Sequence, residues 1–316
     1  MPKVVVMGGE SESYKKIFGD NGIEVAFSHA KEEDDIVRDA YDADAMIFAS
    51  TKFTNSLFDR LPNLKIISRS GIGIDTVDMD AATAHGVIVC NSASYGTYDV
   101  AEHTVALMLS LVHSIPRYDH NVKSANDWGS KDIPPAHRLS DRVLGVIGFG
   151  KISRWVCTMM KGFGMETLVY DPYINLDIAR ELGVKSVTLN ELIEKADIIS
   201  VNAPLTKDTF HLIDAEKIAK MKDDVLIINT SRGPLIDEEA LIAALESGKV
   251  AGAALDVFEK EPFEAESKFR TLNNVILTPH IAWRSHEAMR DLKLEVTGNI
   301  VDYFAGKPLK NQLNLK

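Results

Sequence analysis

The sequence predicts an α/β protein of two domains, each a parallel sheet with helices on both faces. Three observations carry this expectation. Short β-branched runs alternate with helical patterns from end to end, as in βαβ units. The runs fall into two series with a long apolar helix between them. The chain has 316 residues, 45% of them hydrophobic, which is enough for two cores.

The first series is "KVVVMG", "IEVAFS", "DAMIFAS", "LKIISRS" and "GVIVCNS", five strands separated by polar helical stretches such as "EEDDIVRDAYDA". Next comes "TYDVAEHTVALMLSLVHSI" (97–115), apolar nearly all round and hence a buried helix. His103 and His113 on it read as packing residues. The polar, proline-punctuated stretch 117–141 reads as an arm or surface loop. The second series is "RVLGVIG", "METLVYD", "ADIISVNAP", "DVLIINTS", "VAGAALDVF" and "NVILTPH". Its helices include "DEEALIAALESG" (237–248), which ends on a C-cap glycine. A last amphipathic helix over 285–307 is expected to return to the first domain, with no regulatory module after it.

Composition excludes several classes of function. The net charge is −11, from 46 acidic and 35 basic side chains, so nucleic acid and anionic membrane are not expected partners. Cys90 and Cys157 offer neither a disulfide framework nor metal spacing, and read as core thiols. The N-terminal apolar run is too short for a signal peptide and meets acid at Glu10, and no apolar run is long enough to span a bilayer. A cytoplasmic protein without a metal is expected.

Two constellations carry chemistry. In "VLGVIGFGKIS", Gly148, Gly150 and Ser153 stand in G-x-G-x-x-G spacing between a strand and a helix, with serine replacing the third glycine. Gly148 permits the tight turn, and Gly150 lets the backbone approach a pyrophosphate at the helix N-terminus. Asp171 ends the next strand, where an acid accepts from the adenosine ribose hydroxyls. It would repel a 2′-phosphate, and no Arg follows in "DPYINLD", so NAD is preferred over NADP. The alternative for Asp171 is a solvated turn acid before Pro172. "VVVMGGES" (4–11) has adjacent glycines and no acid at the right distance, and reads as an ordinary strand–helix turn.

Arg232, Glu261 and His280 follow three successive strands of the second series. Ligands of open parallel sheets bind outside the carboxyl ends of the strands, so the three can converge. Arg232 offers a fork of donors for a carboxylate or keto oxygen. His280 can exchange a proton with that oxygen, and Glu261 can orient the imidazole. The alternatives are an Arg232 ion pair with Asp237 or Glu238, a surface acid at Glu261, and a core histidine at His280.

These motifs resemble the D-isomer-specific 2-hydroxyacid dehydrogenase family over essentially the whole chain. The matching stretches are "SRSGIGIDTVDMDAA", "VAEHTVALML", "LGVIGFGKIS", "VNAPLTKDTFHLI", "NTSRGPLIDEEALIAAL", "AGAALDVFEKEP" and "TPHIAW". The resemblance implies a doubly wound Rossmann NAD-binding domain (98–283) inserted into a flavodoxin-like substrate-binding domain (1–97 and 284–316). It implies Arg232 on the substrate carboxylate and carbonyl, His280 as the acid–base and Glu261 as its partner. The carboxylate would also be held by backbone amides of Gly71, Ile72 and Gly73. Thr97, Lys151, Ile152, Ala203, Pro204, Thr209, Thr230 and Ser231 would join the glycines and Asp171 around the cofactor. Asp256 and the backbone near Ala282 would orient the nicotinamide amide. A homodimer built through the long helix and its arm is expected, with a small 2-oxo or 2-hydroxy acid as the partner molecule.

Within the family, phosphoglycerate dehydrogenases carry arginine in the loop that "IFASTKFT" (47–54) resembles. Here Phe48 and Ser50 stand there with Lys52 nearby, which counts against phosphoglycerate and leaves it as an alternative substrate. Phe48 and Trp283 are candidates to line the substrate side chain. Trp283 and "SYGTYDVAEH" also resemble the C-terminal-binding-protein subgroup, so an NAD-sensing corepressor-like binding protein is a further alternative. The leading expectation is a reductase of a hydroxypyruvate- or glyoxylate-like, or larger apolar, 2-oxo acid.

Overall fold

The computed structural model describes residues 1–124, 128–129, 131 and 133–315, so part of the expected arm lies outside the described residues. The chain divides into two compact units, Met1–Gly96 with Ser285–Lys316, and Thr97–Arg284.

In the first unit β1 (Lys3–Met7), β2 (Glu24–Ser28), β3 (Ala45–Phe48), β4 (Ile66–Arg69) and β5 (Ile88–Cys90) form one parallel sheet in the order β2-β1-β3-β4-β5. This is the flavodoxin-like order. The connections carry α1 (Glu12–Asp20), α2 (Glu33–Ala40), α3 (Asn55–Asp59) and α4 (Met79–Ala84). Alternation along the strands builds two cores. Val5, Met46 and Ile67 face one side with Leu57 and Phe58. Val4, Val6, Ile47 and Ile66 face the other with Phe18, Val296 and Ile300.

The second unit begins with α5 (Thr97–Val112) and α6 (Ile115–Lys123). It continues through β6 (Val143–Ile147), α7 (Lys151–Met160), β7 (Glu166–Tyr170), α8 (Leu176–Leu182), β8 (Lys185–Ser186), α9 (Leu189–Lys195) and β9 (Ile198–Val201). It ends with α10 (Ala215–Lys220), β10 (Val225–Asn229), α11 (Glu238–Ser247), β11 (Val250–Leu255) and β12 (Val275–Leu277). Its sheet is parallel in the order β12-β11-β10-β9-β6-β7-β8, so the strand order reverses between β6 and β9. This is the doubly wound Rossmann arrangement. The chain then returns to the first unit as α12 (His286–Phe304), capped by Ser285 and held by Asn299, whose Nδ2 donates to Ser68 Oγ and the Asn91 carbonyl at 3.1 Å each.

Two elements differ from the sequence reading. Strand β8 was not expected, because both of its residues are exposed and it offers no apolar run. Residues 115–123 were read with the arm or at the end of the long helix, yet form a separate helix. Ser114 turns into the left-handed region (φ 50) and ends α5, and Pro116 sits in the first turn of α6. No residue of α6 is buried, so no apolar stripe announced it. Among the described residues no helix is long and apolar enough to cross a membrane.

A buried carboxylate holds the amino ends of the second sheet. Asp197, just before β9, is 8% exposed and accepts from Val143 N (2.7 Å), Arg142 Nη1 (2.9 Å) and Lys222 Nζ (3.0 Å). Burial pushes its carboxyl up, but the Val143 N–H, Lys222 and Arg142 outweigh burial and hold it below the usual carboxylate range. A folded pKa below the unfolded one adds stability above the unfolded value, about 3.9, which is lost as pH falls through the folded value. Asp197→Asn is therefore expected to destabilise the fold by about 3 kcal/mol at pH 7, with the gap to wild type narrowing in acid. Urea melts across a pH series measure this, and an unchanged midpoint at pH 7 would refute it.

Candidate active site

The loops that leave the carboxyl ends of β10, β11 and β12 carry Arg232, Glu261 and His280. Gly233 explains how two of these loops approach. A Cβ placed on it would lie 1.9 Å from the Phe258 carbonyl carbon and 2.3 Å from Glu259 N. Only a residue without a side chain allows that contact. Arg232 is extended at φ −144; its carbonyl accepts from Asn229 Nδ2 (2.9 Å) and its Nη1 donates to the Ser231 carbonyl (2.7 Å). Asp237, one of the alternative partners for Arg232, caps α11 through Ala240 N (3.0 Å). The other, Glu238, accepts from Glu259 N (2.6 Å).

Glu261 Oε1 accepts from Phe258 N (3.0 Å), and Oε2 meets His280 Nδ1 at 2.7 Å. Their side chains are 35% and 41% exposed. Burial pushes the Glu261 carboxyl up. The His280 hydrogen bond and charge, the Phe258 N–H and the Arg232 charge outweigh it, and the net shift is downward. The structure thus brings the three sequence-predicted residues into one electrostatic neighbourhood. With Nδ1 on the carboxylate, Nε2 is the ring atom left to exchange a proton with a ligand.

Asp256 is fully buried at the end of β11. It accepts from the Thr278 hydroxyl (2.5 Å), Ile281 N (2.9 Å) and Ala282 N (2.8 Å). The Asp256 carbonyl also accepts from His280 N (2.8 Å). Sequence reasoning placed Asp256 beside Ala282 but gave no role to Thr278, the first residue of the matching stretch "TPHIAW". His103, read as a packing residue, lies with Nε2 3.2 Å from Thr278 Oγ1. Trp283 Nε1 donates to the His280 carbonyl (3.2 Å).

The glycine loop follows β6. Gly148 has φ +90, and a Cβ on it would lie 2.8 Å from the Asn202 carbonyl, so β6 and β9 meet there backbone to backbone. A Cβ on Gly150, the N-cap of α7, would meet nothing within 4 Å. Ser153 is 1% exposed, small enough for this close packing, and donates to the Gly150 carbonyl (3.0 Å). Lys151 and Ile152 form the first turn of α7. Asp171 accepts from Phe149 N (2.6 Å) and Tyr173 N (2.7 Å), so it braces the glycine loop as well as its own turn. Thr209 donates to the Pro204 carbonyl (2.7 Å) and accepts from Thr206 N (2.7 Å), holding the loop that bears buried Ala203. Thr230 meets Thr104 at 2.7 Å, Ser231 N donates to Asn229 Oδ1 (3.0 Å), and Thr97 opens α5. Sequence reasoning missed Asn202. Its Oδ1 accepts from Ser200 Oγ (2.8 Å), and its buried Nδ2 has no protein partner. It sits where the strand order reverses, the place at which such folds bind a dinucleotide.

In the first unit, Gly71, Ile72 and Gly73 follow β4. Gly71 has φ +147, and a Cβ on it would overlap the Arg69 guanidinium. Asn91 Nδ2 donates to the Ile72 carbonyl (2.7 Å) and Ser92 N to the Gly71 carbonyl (3.1 Å). The loop is therefore pinned by its carbonyls. Phe48 corrects an expectation. It has no exposed surface and packs on Phe53 with ring centroids 4.6 Å apart, so it fills the core and offers no surface to a substrate side chain. Lys52 nearby is exposed.

A cleft of about 800 Å³ lies in the second unit, and Arg232, Glu261, His280 and the glycine loop are not in its lining. Its lining includes Leu111, Arg117, His120, Arg142, Asp197 and Asn274, at the amino ends of the strands.

The family model described as D-isomer specific 2-hydroxyacid dehydrogenase, NAD binding domain, matches residues 105–282. The chain is 37% identical over 314 residues to a D-3-phosphoglycerate dehydrogenase of Archaeoglobus fulgidus, covering 99% of this chain and 59% of that protein. It is 34% identical over 283 residues to a glyoxylate reductase of Korarchaeum cryptofilum, covering 88% and 85%. Aquifex aeolicus D-lactate dehydrogenase, solved with NAD and lactic acid, superposes with a TM-score of 0.90 at 30% identity and 98% coverage of both chains.

The contact at Gly233 generates a prediction. Gly233→Ala is expected to force the Arg232 and Glu261 loops apart and to destabilise the fold by about 2 kcal/mol. Thermal unfolding reads the loss. A variant melting with wild type would show that the loops do not need this approach.

Proposed function

The chain belongs to the D-isomer specific 2-hydroxyacid dehydrogenase family, and from that premise we propose that it is an NAD-dependent enzyme interconverting a 2-oxo acid and a D-2-hydroxy acid. The observation that carries this reading is the 2.7 Å pairing of His280 Nδ1 with Glu261, beside the Arg232 charge, at the ends of adjacent strands.

In this reading Arg232 grips the substrate carboxylate and the neighbouring oxygen. His280 Nε2 gives a proton to the carbonyl oxygen during reduction and removes it from the hydroxyl during oxidation. Glu261 fixes the ring through Nδ1, and its negative charge balances a proton gained at Nε2. In the first unit, the backbone amides of Ile72 and Gly73, on a loop held through its Gly71 and Ile72 carbonyls, are proposed separately as donors to a carboxylate.

The second unit fits a dinucleotide. Gly148, Gly150, Lys151 and Ile152 present the turn and helix N-terminus that suit a pyrophosphate. The buried Nδ2 of Asn202 beside them supports a ligand at the strand reversal. Asp171 offers acceptor positions to ribose hydroxyls, and its charge disfavours a 2′-phosphate, so NAD is the proposed cofactor. Asp256, Ala203, Pro204, Thr209, Thr230 and Ser231 complete the proposed groove. When bound, the nicotinamide would supply or take up the hydride at the substrate carbon.

The proposed substrate is a small unphosphorylated 2-oxo acid of the hydroxypyruvate or glyoxylate kind, because the loop around Lys52 offers no arginine. A phosphoglycerate reading is favoured by the relatives. Several are named D-3-phosphoglycerate dehydrogenase at 34–41% identity, although the chain spans about half to three-fifths of their length. A homodimer through α5, α6 and the segment beyond is also proposed, because Ile115, Val122 and Trp128 are 53%, 50% and 91% exposed.

A panel of 2-oxo acids with NADH and NADPH tests the reading. NADH oxidation is expected, with His280→Ala and Arg232→Ala each lowering kcat/KM by about 10³-fold while NADH still binds by fluorescence. Near-full turnover in His280→Ala would end the assignment. Comparing 3-phosphohydroxypyruvate with hydroxypyruvate separates the two substrate readings. Light scattering is expected to give a dimer mass that falls to the monomer in Ile115→Asp/Val122→Asp, and a wild-type monomer would remove the dimer.

A further inference from the structure

We propose that His103 and Thr104, consecutive residues on α5, are positioning residues that hold the loops of His280 and Arg232 in register. The proposal rests on the reading of those two residues given above.

Helix α5 packs along β10, β11 and β12, the strands that lead into those loops. His103 Nε2 lies 3.2 Å from Thr278 Oγ1. The Thr278 hydroxyl has one proton, and it goes to Asp256 Oδ1 at 2.5 Å. Its oxygen is therefore the acceptor toward His103, so Nε2 of His103 carries a hydrogen. The same carboxylate accepts from Ile281 N and Ala282 N, and the Asp256 carbonyl accepts from His280 N. A continuous run of hydrogen bonds thus leads from the helix to the backbone on both sides of the His280 ring.

The next residue does the same for the neighbouring loop. The Thr104 hydroxyl donates to the Val100 carbonyl (2.6 Å), so the hydrogen in its 2.7 Å contact with Thr230 belongs to Thr230. Thr230 stands two residues before Arg232. Thr104 is fully buried and Thr230 is 8% exposed. Valine would fill the same space, and a hydroxyl pair is tolerated there only because it is bonded.

His280 needs such a clamp. It has φ +53, in the left-handed region that residues with a Cβ seldom adopt. That conformation persists where the surroundings over-determine it, and Thr278, Asp256 and His103 are those surroundings. Because His103 and Thr104 are adjacent on one rigid helix, they fix the spacing of the proton-transferring ring and the carboxylate-binding guanidinium together.

The test uses full-length His103→Leu, Thr278→Val and Thr104→Val, with His103→Gln, Thr278→Ser and Thr104→Ser as conservative partners. Each apolar variant is expected to lower kcat by about 10- to 100-fold, with KM changed less than about threefold, because a loosened group costs the chemical step first. The conservative variants should return to within about threefold of wild type, since each restores a polar atom at the same place. The His103→Leu/Thr278→Val double variant should be no worse than the poorer single one, as residues in one network are not additive. Hydrogen exchange of the Ile281 and Ala282 amides, read without substrate or cofactor, should speed up about tenfold in Thr278→Val. An active wild type whose Thr278→Val variant keeps kcat within about twofold and exchanges normally would overturn the clamp alone. An inactive wild type whose variants exchange faster would sink the dehydrogenase reading and keep the clamp.

Discussion

Asp256 has no exposed surface, and a buried carboxylate is tolerated only where donors surround it. Its donors come from one short segment, the Thr278 hydroxyl and the amides of Ile281 and Ala282. Satisfying that one group therefore dictates the course of the chain after β12, including the left-handed turn at His280. From there the constraint passes outward. The His280 ring meets Glu261, Glu261 is anchored on Phe258 N, and the Phe258 carbonyl excludes any side chain at Gly233. Arg232 precedes that glycine. Four contacts link a buried anion to a partly buried cation, and each leaves its members little freedom.

The polarity of the parallel sheet decides what each end can do. At the carboxyl ends, strands stop in loops whose amides and side chains face outward, and α7 starts there with free N–H groups. At the amino ends, the one buried acid among the described residues is Asp197, and it is surrounded by Arg142, Lys222 and the Val143 amide. That cluster fastens the sheet, with its charges paired among themselves. The cleft beside it is lined by residues of α5, α6 and the starts of strands.

Much of this was legible in the sequence because strands and turns announce themselves locally. Alternating β-branched runs marked eleven of the twelve strands among the described residues, and glycine spacing marked the loop after β6. Residues that end strands stood out by position alone, as Arg232, Glu261 and His280 did. Strand β8 stayed hidden because it is two residues long and exposed, and α6 because no stripe of it is buried. Phe48 was misread for a different reason. A phenylalanine ending a strand looks the same whether its ring faces a cleft or a core, and only its partner Phe53 decides. His103 and Thr278 are 175 residues apart, and no local pattern connects them.

The choice of an acid at position 261 follows from the same contacts. An amide there could still accept from Phe258 N, but it would carry no charge toward His280 or Arg232. The carboxyl is held below the usual range although burial pushes it up, so the His280 hydrogen bond and charge, with Phe258 N and Arg232, win over desolvation. A group with a depressed pKa keeps its negative charge as pH falls, until the folded value is reached. The imidazole therefore faces an anion across the whole neutral and mildly acidic range. In the proposed reaction the ring would hold a proton for transfer to a carbonyl oxygen and take one back, and a constant counter-charge on its far nitrogen serves that role. The 2.7 Å contact at Nδ1 provides it while leaving Nε2 open.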